Sequence, residues 1–245
     1  MDALNLLTTR RSSKKLAAPA PNAEQLEQML QAATQVPDHG NMRPYRFTVI
    51  QSEAGLQRFR ELLSKTVTEL NFGDDAMKKA ERVGNMAPMI IGVTFAPNRE
   101  VAKPKPEWEQ MLTAGCAAYA LQLAASAQGF DNVWITGMWV NSPLLREAFE
   151  CADKDKIIGL MMIGSPTEEG SGPKNTNLEC FTTYWYGRCT CIQIKRKFIY
   201  ILLGMQAQNF FFLSNGRQQK KFGDSWFKAF KASVKICPGI YLTTG

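Results

Sequence analysis

The stretch that decides the fold is Pro88-Met89-Ile90-Ile91-Gly92-Val93-Thr94-Phe95. It is a continuous apolar run that contains β-branched residues, which is typical of a central strand buried on both faces. Residues 156–164 have the same apolar character and end at Gly164-Ser165-Pro166, so they predict a second buried strand. The sequence therefore predicts a sheet with at least two strands in its interior.

Helical patterns lie on either side of these strands in the sequence. The spacing of apolar residues and the capping residues predict helices near residues 2–8, 22–35, 54–70, 75–83, 107–128 and 142–149. Further strands are predicted at 46–50 and, as a short strand or turn, at 133–137. Because helices separate the strands along the chain, the residues alone favour an α/β or α+β sandwich.

The helix predicted over residues 107–128 is the longest in the chain. Its middle, from Ala114 to Leu121, is small and apolar nearly all round. Such a helix is expected to be buried on several sides, at the core centre or in an oligomer interface. Cys116 within it is predicted to be a small buried thiol, and Gly129 is well placed to end the helix.

The net charge of +7 is unevenly distributed. Residues 1–185 carry about as many acidic as basic side chains, with a net charge of −2, whereas residues 186–245 carry +9. The basic character therefore belongs to the C-terminal tail. A nucleic-acid-binding function for the whole protein does not follow from it.

Several common classes of protein are disfavoured by what the sequence lacks. It has no Gly-x-Gly-x-x-Gly motif, no Walker-type loop and no Gly-x-Ser-x-Gly elbow, and a hydrolase triad could only be built around His39, the single histidine. No metal is expected, since the six cysteines lack the spacing of a zinc site. The absence of a signal peptide or membrane-spanning run predicts a cytoplasmic, reduced protein.

A cluster of cations and hydroxyls follows the N-terminal helix, at Thr9-Arg10-Arg11-Ser12-Ser13-Lys14-Lys15. Arginine suits bidentate recognition of phosphate, serine adds a hydroxyl, and lysine supplies a mobile charge. Taken alone, such a cluster is more often a solvated basic turn than a phosphate site.

An ordered series of motifs carries a family resemblance. The series comprises Arg10-Arg11-Ser12, the loop Pro37-Asp38-His39 through Pro44-Tyr45-Arg46-Phe47, the strand at Met89, Ala124-Ala125-Ser126-Ala127-Gln128-Gly129, Trp134 with Gly137, Ser142-Pro143, and the strand from Lys156 to Gly164-Ser165-Pro166. As a set, it resembles the nitroreductase-like family of FMN-dependent oxidoreductases. The closest likeness is to the short bacterial branch of NAD(P)H nitroreductases, over about residues 1–185. This resemblance implies an α+β sandwich around a mostly antiparallel sheet, in a homodimer that holds two FMN molecules at the subunit interface.

The resemblance also implies which residues bind the cofactor. Arg10, Arg11 and Ser12 match the family's segment for the phosphate and ribityl chain. Gln35 stands where the branch usually supplies an arginine from the partner subunit, and His39 matches the histidine that reaches FMN across the interface. Trp134, Ile135 and Thr136 match the segment lining the flavin, where the branch often has Trp-Arg-Ser. The alternative for His39 is a surface position without a flavin contact. The alternative for Trp134 is an ordinary position in the hydrophobic core.

The resemblance assigns binding of the nicotinamide nucleotide to Ala124, Ala125, Ser126, Ala127, Gln128 and Gly129. An ordinary helix end also explains this segment. The implied reaction passes hydride from NAD(P)H to flavin N5 and then to a nitroaromatic or quinone-like acceptor, in ping-pong fashion. No catalytic acid or base is expected, because the flavin carries the redox step. Lys14 or Lys15 is a candidate to stabilise the negative charge of the reduced cofactor.

The alternatives are the same fold with another flavin reaction, such as dehalogenation or flavin fragmentation, and a flavin-holding protein without turnover. The tail at residues 186–245 falls outside the resemblance, because its periodicity is lost and aromatic and basic residues interleave. It is expected to be an out-of-frame or read-through extension, poorly ordered and without function. The other possibility is an appendage that binds nucleic acid or an anionic membrane. Neither nucleic acid nor a membrane is expected to bind the domain formed by residues 1–185.

Overall fold

The computed structural model describes residues 2–168, 172 and 176–185. The chain divides into two compact units, Met1–Asn177 and Leu178–Gly245. In the second unit the described residues are 178–185, and they include one 3-10 turn, Leu178–Cys180. The expectations for residues 186–245 lie outside the described residues, and a domain boundary at residue 185 stays a prediction.

The described part of the first unit contains six α-helices and five strands. The helices are α1 (Ala3–Thr9), α2 (Ala23–Thr34), α3 (Glu53–Glu69), α4 (Asp74–Gly84), α5 (Glu107–Ala127) and α6 (Pro143–Ala148), with a 3-10 turn at Met138–Asn141. The strands are β1 (Leu16–Ala17), β2 (Tyr45–Ile50), β3 (Met89–Phe95), β4 (Asp131–Ile135) and β5 (Lys156–Pro166). The predicted elements are all present; the two-residue β1 and the 3-10 turn were not predicted.

The strands form one sheet in which every pairing is antiparallel. The order along the main path is β1-β5-β3-β2, and β4 also pairs with β5. Every residue of β3 is buried, as its uninterrupted apolar sequence predicted. The α+β sandwich with an antiparallel sheet is therefore confirmed, and the α/β alternative left open by the residues is excluded.

The sheet separates two hydrophobic cores. Side chains of β3 alternate between them, because successive residues of a strand point to opposite faces. Ile90 joins the core formed with α3 and α4, while Met89 and Ile91 join the core formed with α2 and α5. Each face of the sheet thus has its own helical layer.

Local capping explains where several helices begin and end. Asn22 and Gln25 form a capping box at the start of α2, as the sequence predicted. Ser142 accepts a hydrogen bond from the backbone N–H of Leu145 and is followed by proline, which opens α6. Gly129 has a φ of 85° just after α5, a conformation that favours glycine.

The prediction that Cys116 is a small buried thiol was wrong. In this chain Cys116 is exposed, and it lies on a stripe of α5 with Trp108, Leu112 and Tyr119, which are 66%, 62% and 39% exposed. The apolar composition of the α5 centre could not show which of its faces is covered within one chain. Among the described residues, no helix combines the length and apolarity needed to cross a bilayer.

Candidate functional site

An open cavity of about 690 Å³ lies where α1 ends, beside the C-terminal end of α5 and the start of β4. The segment Thr9–Lys15 forms one wall, and Phe130 and Val133 supply apolar surface. Four cations and two carboxylates line the cavity: Arg10, Arg11, Lys14, Lys15, Asp131 and Glu168. The lining therefore carries an excess of positive charge and suits an anionic ligand with an apolar part.

The guanidinium group of Arg10, a residue that lines this cavity, has an incomplete set of hydrogen bonds. Its Nη1 atom is buried and has no hydrogen-bond partner among the described residues. A buried donor without a partner is costly, and a guanidinium group binds phosphate or carboxylate strongly. Arg10 therefore lines the cavity and has donor capacity that the described residues leave unused, which favours an anionic ligand there.

Backbone contacts hold the cationic segment in place. The guanidinium group of Arg11 donates to backbone carbonyl oxygens. Its Nη1 donates to that of Arg10 at 2.6 Å, and its Nε donates to that of Gly172 at 3.2 Å. The Ser13 N–H donates to the Asn132 carbonyl oxygen at 3.0 Å, which ties the segment to β4. Arg11 thus shapes the segment, while Arg10 keeps a free donor.

Two buried amide side chains, Gln122 and Asn132, connect the elements that line this cavity. Asn132 is fully buried, and its Oδ1 accepts a hydrogen bond from Gln122 Nε2 at 2.9 Å. Its Nδ2 donates to the Gln122 carbonyl oxygen at 3.1 Å and to Ser126 Oγ at 3.0 Å. Since Ser126 lines the cavity, Asn132 fixes α5, β4 and the cationic segment relative to one another. Sequence reasoning missed both amides, although polar residues inside apolar elements were a usable signal.

The residues assigned by resemblance to the nicotinamide nucleotide are divided by the structure. Ser126 and Gly129 line the same cavity as Arg10, Arg11 and Ser12. Ala125 is fully buried, and Gln128 Nε2 donates to the Gln25 carbonyl oxygen at 3.2 Å. Ala124 and Ala127 do not line the cavity either. This helix end therefore contributes two residues to the cavity rather than a contiguous segment.

His39 and Gln35 lie away from this cavity within one chain. His39 Nδ1 is 2.7 Å from Glu109 Oε2, near the N-terminal end of α5, and its side chain is 65% exposed. Gln35 caps α2 and its amide donates to Thr34 Oγ1 at 3.4 Å. From Glu109 to Ser126 the helix rises about 26 Å, at 1.5 Å per residue. One chain thus places the two predicted halves of the site at opposite ends of α5.

The third predicted segment, Trp134-Ile135-Thr136, also lies outside the cavity. The indole Nε1 of Trp134 donates to the Ile158 carbonyl oxygen at 3.0 Å, and its ring covers Gly159. Ile135 packs against the core on the α3 side, and Thr136 is exposed. The indole N–H is thus satisfied within the chain, and Trp134 is half-buried against the core on the α2 and α5 side; its contact with a flavin stays a prediction.

Other reactive side chains do not suggest a second kind of chemistry. Burial raises the pKa of the Cys151 thiol, which disfavours the thiolate that a nucleophile requires. Within the described residues, no group of three or more His, Cys, Asp or Glu side chains could hold a metal ion.

The profile of the Nitroreductase family matches residues 7–165 of the chain. The chain therefore belongs to the nitroreductase family, which confirms the resemblance and makes the protein an oxidoreductase by family. A "Putative NAD(P)H nitroreductase" of Haemophilus influenzae is 55% identical to it over 169 residues, covering 69% of this chain and 91% of that protein. The "Putative NAD(P)H nitroreductase YdjA" of Escherichia coli K12 is 42% identical over 186 residues, covering 76% of this chain and all of that protein.

Solved structures show the same fold at low sequence identity. A nitroreductase-like protein from Bacillus cereus has a TM-score of 0.66 at 21% identity and covers 76% of this chain and 97% of its own. A nitroreductase from Exiguobacterium sibiricum, solved in complex with FMN, has a TM-score of 0.58 at 20% identity and covers 76% of this chain and 98% of its own.

Proposed function

We propose that this protein is an FMN-dependent oxidoreductase that uses NAD(P)H to reduce electron-poor acceptors such as nitroaromatics or quinones. The observation that carries the proposal is the cationic cavity lined by Arg10, whose Nη1 is buried and has no partner among the described residues. Membership in the nitroreductase family and the names of the relatives support the donor and the reaction class.

The residues present fit the cofactor. FMN combines a phosphate dianion with a flat apolar ring system, and the cavity combines cations and hydroxyls with apolar surface at Phe130 and Val133. Arg10, with Ser12 beside it, would hold the phosphate through charge-assisted hydrogen bonds. The departure at Gln35 removes one cation usual in the branch, so Arg10 carries more of the phosphate charge.

Bound FMN supplies the hydride chemistry, accepting two electrons from the nicotinamide and delivering them to the acceptor. The residues of the chain would bind the cofactor, orient it and adjust its electrostatic environment. Asn132 holds Ser126 in position through its Nδ2, and its backbone carbonyl oxygen accepts from the Ser13 N–H of the cationic segment. Lys14 has no ion-pair partner among the described residues and can offset negative charge that develops in the cavity. No side-chain acid or base is assigned to the chemistry.

A homodimer follows from the same proposal. Arg10 and His39 can contact one cofactor only if they come from different chains, because about 26 Å of α5 separates their two ends. The exposed apolar stripe of Trp108, Leu112, Cys116 and Tyr119 supplies a surface for the second copy. Antiparallel packing of two α5 helices would bring the His39 end of one chain to the Arg10 end of the other.

The dimer gives a first prediction. Leu112→Glu places a charge in the middle of the α5 stripe, where it is tolerated in one chain but would be buried and unpaired in a dimer. We expect light scattering to give a monomer near 27.4 kDa. FMN affinity should fall about tenfold or more, because the partner's polar contacts are lost.

Leu70→Glu is the matched control, since Leu70 is 43% exposed at the end of α3, outside the α5 stripe. It should leave both mass and FMN affinity unchanged. A Leu112→Glu protein that stays dimeric with full FMN affinity would contradict the interface.

The reaction itself is tested by following NADH and NADPH oxidation at 340 nm with FMN-loaded protein. Oxidation that accelerates when a nitroaromatic or quinone is added supports the reductase. A protein that binds FMN and oxidises neither donor would instead be a flavin holder without turnover, the alternative raised by the departures at Gln35 and Ile135.

A further inference from the structure

A second cleft, of about 460 Å³, adjoins the cavity that contains Arg10. The two share Lys14, Lys15 and Glu168 as a common wall. The remaining residues of the second cleft are Leu16, Arg82, Asn85, Met86 and Thr167. None of these five residues has a role in holding FMN as proposed above, so the cleft is available to a second ligand that meets the cofactor.

The charges of this cleft are unbalanced. Lys15 forms an ion pair with Glu168, which accounts for one cation and the single carboxylate. Lys14 and Arg82 are exposed, and neither has a hydrogen bond or ion pair with another described residue. Arg82 lies in the last turn of α4 and borders the cleft. Two cations that the described residues leave unneutralised therefore line the same cleft.

We propose that Lys14 and Arg82 form an anion subsite that binds a phosphate group of the nicotinamide nucleotide donor. This inference rests on the proposed function, because the donor must place its nicotinamide against the cofactor in the adjoining cavity. Guanidinium and ammonium groups recognise phosphate by charge-assisted hydrogen bonds. Leu16 and Met86 add apolar surface on which a ring of the nucleotide can rest.

Two phosphate sources are compatible with this chemistry. The pyrophosphate is common to NADH and NADPH, so binding there would make Arg82 equally important for both donors. The 2′-phosphate occurs only in NADPH, so binding there would make Arg82 a determinant of preference for NADPH. The two cases are separated by comparing 2′,5′-ADP, which carries the 2′-phosphate, with ADP, which carries a diphosphate and no 2′-phosphate.

The test uses the full-length, FMN-loaded protein and its Arg82→Ser variant. Calorimetric titration with 2′,5′-ADP and with ADP measures phosphate binding without turnover. We expect Arg82→Ser to weaken binding of at least one probe about fivefold or more, the size of a partly exposed guanidinium–phosphate contact. A loss for ADP, with or without a loss for 2′,5′-ADP, assigns the subsite to the pyrophosphate, and a loss for 2′,5′-ADP alone assigns it to the 2′-phosphate. The KM for the corresponding donors should rise in parallel.

Lys79→Ser is the matched control, because Lys79 lies on the same helix but does not line the cleft. It should leave both affinities unchanged. The subsite is refuted if Arg82→Ser binds both probes as the wild type does, or if Lys79→Ser loses as much affinity as Arg82→Ser. The FMN content of each sample separates this result from the proposed function: a protein that binds FMN normally but shows no Arg82 effect loses only the subsite.

Discussion

Replacing Arg10 with alanine is expected to weaken FMN binding roughly tenfold to a hundredfold, equivalent to about 1.5–3 kcal/mol for a hydrogen bond to a charged group. The reason is the state of its guanidinium group: Arg10 lines the cavity, and its Nη1 is buried with no partner among the described residues. Arg11 lines the same cavity but already donates to backbone carbonyl oxygens, so it is not expected to compensate. The dissociation constant can be measured by quenching of FMN fluorescence.

Two variants control for the loss of charge. Arg10→Lys keeps the charge but loses the planar, bidentate geometry, so its affinity should lie between those of wild type and Arg10→Ala. Arg58→Ala removes an exposed arginine of α3 that lies outside the cavity and should bind FMN normally. If Arg10→Ala binds FMN as tightly as Arg58→Ala does, the segment at residues 9–15 is the solvated turn that its sequence also allowed.

Gly159→Ala is expected to cause the largest loss of stability. A Cβ atom at this position would lie 1.9 Å from Trp134 Nε1 and 2.4 Å from Cδ1 of the same ring. The indole would have to leave its place on β5 and give up its hydrogen bond to the Ile158 carbonyl oxygen. Overpacking and the lost bond together cost on the order of 3–4 kcal/mol, or about 10 °C in Tm.

Trp134→Phe isolates the hydrogen bond, because it keeps an aromatic ring above Gly159 and removes the N–H. Its cost should be close to 1 kcal/mol, well below that of Gly159→Ala. Thermal denaturation of the two variants gives the comparison. Melting of Gly159→Ala at the wild-type temperature would show that Trp134 does not rest on Gly159 and would reopen a direct flavin contact for the indole.

The sequence predicted the fold well because its buried strands and capped helices carry local signals. The run from Met89 to Phe95 is apolar without interruption, and all seven residues are buried on β3. Burial of Cys116 was mispredicted because the apolar composition of a helix does not show which of its faces is covered within one chain. The two-residue strand β1 has no periodicity of its own and forms only because β5 lies beside it.

The candidate site was less accessible to sequence reasoning, because it depends on which residues converge in space. Arg10, Arg11 and Ser12 are adjacent in sequence and form one wall of the cavity. Ser126 joins them through the tertiary contact of Asn132 with α5, which no local pattern encodes. The structure places His39 beside Glu109, away from the cavity lined by Arg10, which its position in the sequence could not show. The roles of these residues toward FMN remain predictions.

The central claim, that this cavity holds FMN, is tested most directly by the flavin content of the purified protein. The protein is freed of bound flavin, titrated with FMN and separated from unbound ligand, and the absorbance near 450 nm is compared with the protein concentration. We predict saturation at one FMN per chain, or two per dimer. A protein that carries no flavin when purified and takes up none from added FMN would contradict the account.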